Sequence, residues 1–96
     1  MIRHIVMHKF YDEVNPEEKQ AAIEKLRELP SKMPDFEFIE WEIHEDIGRE
    51  KNWDTVEIAV FKDEAQIDVF RNHPAHQEVG KVFRKIADWH VVDYQI

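Results

Sequence analysis

Six histidines are the readiest acid–base groups in a 96-residue chain without cysteine, and two of them flank a proline. His73-Pro74-Ala75-His76 lies between two stretches of helical apolar spacing, residues 65–71 and 77–87. Proline cannot sit inside a helix but suits its first turn. The segment therefore reads as a helix break followed at once by a helix start, with both imidazoles at a helix N-terminus. The macrodipole there disfavours imidazolium, so His76 is expected to stay neutral near pH 7 and to accept a proton as a general base. The alternative is structural: the ring caps the helix or bonds a neighbouring carbonyl and holds the bend. His73, directly before the proline, reads as turn chemistry.

A second group consists of His4 and His8, on one face of an alternating stretch, and Glu57, a carboxylate between Val56 and Ile58 in another such stretch. Two strand-borne imidazoles with a carboxylate can form a metal constellation. They are also what a buried ion pair looks like, because a buried carboxylate needs a partner. The spacing is not diagnostic of a metal, so the ion-paired reading is preferred and no metal is assigned. Gly48 and Gly80 are the only glycines, which leaves no phosphate-binding loop and no nucleotide cofactor to expect. No Ser-His-Asp arrangement is legible.

The elements that must position these residues follow from periodicity. Residues 2–11 alternate as a strand, with Ile2, His4, Val6, His8 and Phe10 on one face and Arg3, Ile5, Met7, Lys9 and Tyr11 on the other. Both faces carry apolar groups, so this strand is expected to be central and covered on both sides, the second cover coming from another chain. Asn15-Pro16-Glu17-Glu18 has N-cap and capping-box spacing, and Ala22, Leu26, Leu29 and Met33 form the stripe of the helix it starts. Pro30 should distort that helix and Pro34 should stop it. Residues 36–44 and 53–61 read as strands joined by a polar loop. Asp63 caps a second helix, Pro74 opens a third, and residues 89–96 close the chain as a strand.

The order β-α-β-β-α-α-β is the split βαβ, ferredoxin-like plan, an α+β fold with an antiparallel sheet in the order 4-1-3-2 and helices on one face. One domain spans residues 1–96. The bare, apolar sheet face would be a partner site, most simply for a second copy related by a two-fold axis. Thirteen basic against 21 acidic residues give a net charge of −8, which disfavours nucleic acid as a partner. Lys81, Arg84 and Lys85 read as a solvated helix face rather than a basic patch. No apolar run approaches a membrane span, and Arg3 and His4 interrupt the first apolar stretch, so no membrane association and a cytoplasmic location are expected.

The chain resembles the stress-responsive dimeric α/β-barrel (Dabb) family. The resemblance runs nearly end to end: His4-Ile5-Val6-Met7 with Lys9-Phe10, Met33-Pro34, Trp53-Asp54, Phe70-Arg71-Asn72-His73-Pro74-Ala75-His76, and Val91-Val92-Asp93-Tyr94. It implies a ferredoxin-like protomer and a homodimeric barrel. One plant member of the family is a polyketide cyclase that closes an aromatic ring by aldol condensation in a cavity between sheet and helices. The resemblance places that enzyme's general base at His76 and another cavity histidine at His4. Its assisting tyrosine falls at Phe70 and a further histidine at Thr55. It also turns His4, His8 and Glu57 toward the helices, where His76 arrives.

These readings define a modest, mostly apolar pocket around His4, His8, Glu57, Phe70 and His76, able to take a small apolar or carbonyl-containing ligand. His76 is the one catalytic candidate and no cofactor is assigned. The rival reading is a structural or stress-protective dimer with a packed interior.

Overall fold

The computed structural model describes all 96 residues. In chain order it contains strand β1 (Ile2–Phe10), helix α1 (Pro16–Glu28) with a 3-10 turn over Leu29–Lys32, β2 (Glu40–Glu45), β3 (Thr55–Phe61), α2 (Glu64–Asn72), α3 (Pro74–Ile86) and β4 (Ala87–Gln95). The four strands form one antiparallel sheet in the order β2-β3-β1-β4, the order expected for the ferredoxin-like plan.

Local signals set the helix ends. The Asn15 side chain accepts the Glu18 N–H at 2.8 Å, and Asp63 accepts that of Gln66 at 3.0 Å, each satisfying an orphan donor of the first turn. Pro30 does not end the chain's rotation but tightens it into the 3-10 turn, which delivers Leu29 and Met33 into the core almost without exposure.

Three strand starts differ from the expected ones, two later and one earlier. Phe36 and Phe38 alternate like strand residues, yet β2 starts only at Glu40. Both rings turn inward instead, Phe36 lying 5.7 Å from Phe61 and Phe38 lying 5.9 Å from Phe70, centroid to centroid. Burying two aromatic rings outweighs the few ladder bonds that extra pairing would add. Trp53 precedes β3 and stacks on His90 at 5.0 Å. β4 starts two residues earlier than expected because α3 passes into it without a loop: Ala87 has extended backbone and pairs with Phe10.

Register assigns the two faces of the sheet. Ile2, Val6, Phe10, Ile43, Ala59 and Phe61 point toward the helices, and all of these but Val6 join Ala22, Leu26, Phe70, Val79 and Phe83 in one core. His4, His8, Thr55 and Glu57 are buried on that same face, the only buried polar or charged residues of the chain. The opposite face carries Ile5 between Ile58 and Val92, and Met7 between Val56 and His90, with no helix over them. Met7, Val92 and Tyr94 are exposed there.

The aromatic cluster carries the fold, and the caps trim it. Phe61→Ala should lower the unfolding free energy by about 3–5 kcal/mol, against about 1 kcal/mol for Asn15→Ala. Urea denaturation of both variants checks this, and a smaller loss for Phe61→Ala than for Asn15→Ala would show that the cluster is not the core.

Candidate functional site

A cleft of about 940 Å³ opens between α3 and the β1–β4 side of the sheet. His4, His8, Glu57, Phe70 and His76 all line it, so the structure brings the five sequence-selected residues to one place. The cleft is larger and more polar than the modest apolar pocket expected from sequence: seven of its nineteen lining residues are hydrophobic. The polarity comes from both walls: His4, His8, Glu57 and Asp93 on the strands, and Arg71, His76, Lys81 and Arg84 among the groups on the helices. Lys81 and Arg84 border the cleft while staying exposed, as residues of a solvated helix face do.

The floor is a ladder of charge across three strands. His4 Nδ1 meets Asp93 Oδ1 of β4 at 2.5 Å, and His4 Nε2 meets Glu57 Oε2 of β3 at 3.3 Å. Register explains both contacts. Asp93 stands directly opposite His4, while Glu57 stands opposite Val6 and so reaches His4 on the diagonal. Ionised carboxylates accept rather than donate, so a ring placed between two of them is favoured in its protonated form. Burial alone would lower its pKa, but Glu57 and then Asp93 outweigh this and hold it above the ordinary value.

Glu57 is buried with only one oxygen engaged by His4. Its second oxygen has no protein partner, yet no fully enclosed side-chain oxygen or nitrogen of the chain lacks one. That oxygen therefore keeps contact with the cleft. The same reasoning applies to His8: Nδ1 bonds the Thr55 hydroxyl at 3.0 Å, and Nε2, without a partner, faces the open space. Burial lowers the His8 pKa, and the charge of Glu57 only partly offsets it.

The broken helix presents His76. His73 Nδ1 accepts the Ala75 N–H at 3.1 Å, capping α3, and its Nε2 lies 3.5 Å from Asp35. The bend this cap holds leaves the Arg71 carbonyl free of the helix ladder, and His76 Nδ1 donates to it at 3.3 Å. A carbonyl accepts only, so the proton is on Nδ1 and the lone pair on Nε2. Burial lowers the His76 pKa, with Glu57 and the carbonyl opposing and His4 and Arg71 assisting. The Phe70 ring packs against the imidazole at 4.2 Å, centroid to centroid.

The two readings of His76 and of the histidine–carboxylate set thus coexist in one geometry. His76 bonds a neighbouring carbonyl and holds the bend, and that same bond leaves its other nitrogen basic. His4 and Glu57 are ion-paired, and no three His, Asp or Glu side chains converge as metal ligands do. Sequence reasoning passed over Asp93 as a site residue, although its place opposite His4 follows once the strand register is known. His44 and His90 stay out of the site. His44 pairs with Glu42 on the outer face, and His90 sits opposite Met7 in the body of β4 rather than near its end.

The stress responsive A/B barrel domain family matches the chain over residues 2–96. An uncharacterised protein of Streptomyces coelicolor is 31% identical over 99 residues, covering 99% of both chains. A dimeric ferredoxin-like protein of unknown function from Thermobifida fusca superposes with a TM-score of 0.85 at 24% identity, covering 99% of this chain and 90% of its own. A hydroxynitrile lyase from Passiflora edulis does so with a TM-score of 0.84 at 23% identity, covering 99% and 92%. No helix is long and apolar enough to cross a membrane.

The histidines should titrate in opposite directions. The raised His4 pKa adds stability that is complete below the ordinary histidine value near 6.5 and is lost as pH rises through the folded value above it. The lowered His8 and His76 pKa values cost stability as pH falls below about 6.5 toward their folded values. NMR titration should order them as His4 above, and His76 and His8 below, an unfolded reference. Glu57→Gln should move all three downward, because Glu57 raises each. A His4 resonance that titrates below the reference in the wild-type protein would refute the charge ladder.

Proposed function

The chain belongs to the stress-responsive A/B barrel (Dabb) family, and on that premise we propose that it binds a small carbonyl compound in the cleft and removes a proton beside the carbonyl, with His76 Nε2 as general base. The observation that carries this reading is the Nδ1–H bond from His76 to the Arg71 carbonyl, which fixes the tautomer and leaves a basic nitrogen in a cavity. A general base needs a free lone pair within reach of a substrate and a pKa low enough to leave it unprotonated. His76 has both, the second because burial disfavours its charged form.

Glu57 has the complementary role. Its free oxygen can accept a hydrogen bond from a substrate hydroxyl or from the enol form, while His4 neutralises the charge that burial would otherwise penalise. His4 has both nitrogens committed to carboxylates and therefore acts through Glu57 as a positioning residue. Phe70 supplies a ring where a hydroxyl would assist the base, so the unassisted His76 defines a modest catalyst. The likeness to the hydroxynitrile lyase is one of fold, and the fold carries different chemistries. The reaction class therefore rests on the cleft residues.

The cleft supports this reading over a purely structural dimer. A packed interior with no space around His76 would favour the structural role, whereas His76 lines an open cleft beside Glu57. The functional unit in this proposal is a homodimer formed through the uncovered sheet face, where Ile5, Ile58 and Val92 lie side by side. Dimeric relatives of the same fold support that assembly.

Deuterium exchange at the carbon beside the carbonyl, followed by NMR over a panel of aryl ketones and 1,3-diketones, tests the base. The wild-type protein should accelerate exchange for at least one compound, His76→Gln should reduce the rate about 10²–10⁴-fold, and Phe70→Tyr should raise it. Equal exchange by wild type and His76→Gln would sink the assignment. Sedimentation tests the assembly: the wild type should run at twice the 11.6 kDa chain mass. Val92→Asp, at a position exposed in the protomer, should run as a folded monomer.

A further inference from the structure

The cleft extends well beyond the groups that the proposed proton transfer uses. It runs along α3 from His76 to Arg84, about 12 Å at about 1.5 Å per residue. At one end His76 lies with His4, Asp93 and Glu57. At the other, Arg84 and Trp89 line the same space, Trp89 being the residue opposite His8 in the sheet. Gly80 lies between the two ends on the helical wall, and Val6 and Val91, a directly opposed pair, lie on the strand side.

Three features of the middle and far end of the cleft have no structural explanation within the chain. Gly80 sits in the interior of a helix, where it costs about 1 kcal/mol relative to alanine. Its backbone needs no left-handed conformation, and a Cβ built there would meet nothing within 4 Å. Its effect is to keep the middle of the cleft wide. Arg84 forms no ion pair or hydrogen bond with any group of the chain, whereas nearby Lys81 is held by Glu78 at 3.1 Å. Trp89 is an exposed aromatic residue at the cleft wall rather than in the core.

Charge points the same way. The protein carries −8 overall, yet the cleft holds Arg71, Lys81, Arg84 and His4 against Glu57, Asp68 and Asp93. Two of those carboxylates are already committed to His4. With Lys81 held by Glu78, the charged groups of the helical wall left unpaired are Arg71 and Asp68 near His76 and Arg84 at the far end, so the far end presents one unpaired cation to an anionic group.

We propose that Gly80, Lys81 and Arg84 of α3, with Trp89 of β4, form a distal subsite for the carboxylate-bearing tail of an elongated ligand whose carbonyl end lies at His76. The tail crosses the helix at the Gly80 notch, its apolar part lies along Val6 and Val91 and reaches the Trp89 ring, and its negative end meets Arg84. This subsite rests on the proton-transfer reading only for the placement of the carbonyl end. The tail recognition stands on the residues of the far end.

The test compares 6-oxo-6-phenylhexanoate with its methyl ester, an aryl ketone pair that differs only in tail charge, with binding read by NMR titration on the full chain. The wild type should bind the carboxylate roughly fivefold more tightly than the ester, the scale of a solvent-exposed ion pair, and added salt should erode the difference. Arg84→Glu should reverse the preference, and His76→Gln should retain it while losing proton exchange. Gly80→Leu should weaken both compounds while leaving the protein at least as resistant to urea, because leucine favours the helix and has open space to enter. Binding of neither compound, no preference in the wild type, or a preference that survives Arg84→Glu would overturn the subsite. Loss of exchange in His76→Gln with no tail preference anywhere would refute the subsite alone and leave the base assignment standing.

Discussion

A buried carboxylate governs this structure. Glu57 lies in the middle of β3 on the face that the helices cover, where an unpaired charge would cost several kcal/mol. His4 of β1 answers it and is answered in turn by Asp93 of β4, so one histidine ring links three strands. The ladder also constrains the register. A shift of β1 by one residue would turn His4 to the outer face and leave Glu57 alone among hydrocarbon. The charged cluster is thus part of the sheet's specification, and the cleft inherits a polar floor from the requirement that the sheet be paired in one way.

The second constraint is the broken helix. A single continuous helix from Glu64 to Ile86 would tie up the Arg71 carbonyl in the ladder and remove the acceptor that His76 uses. Pro74 prevents this by lacking an N–H, and His73 makes the break stable by capping the new helix with its own ring. Two histidines three residues apart therefore end with different work. His73 holds the backbone, and His76 has one nitrogen bound to the backbone while its ring lines the cleft.

The two faces of the sheet carry different groups. The helix-covered face holds both the aromatic core around Phe61 and Phe70 and the polar groups of the cleft, so core and cleft share neighbours: Phe70 touches the rings of both His4 and His76. The other face carries an apolar stripe through Ile5, Ile58 and Val92 and none of the buried polar groups. Contact through that face would cover the stripe without occupying the cleft, which leaves assembly and ligand entry on separate surfaces.

The helices, their caps, the break at Pro74 and the order of elements are all legible in the sequence, because each depends on residues within one or two turns. Asn15, Asp63 and Pro74 need no distant partner to do what they do. The alternation that puts His4 and His8 on one face is equally local. The inward turn of Phe36 and Phe38 was not legible, since their spacing fits a strand and only the presence of Phe61 and Phe70 makes burial the better outcome. Nor was the pairing of His4 with Asp93, 89 positions away, or the place of Lys81 and Arg84 at the border of the cleft, because both depend on which strand lies beside which and on where α3 rests over the sheet. The sequence by itself determined which groups could be acids, bases and cations. The tertiary structure decided their protonation and their company, because those follow from burial and from distances between strands that no local pattern contains.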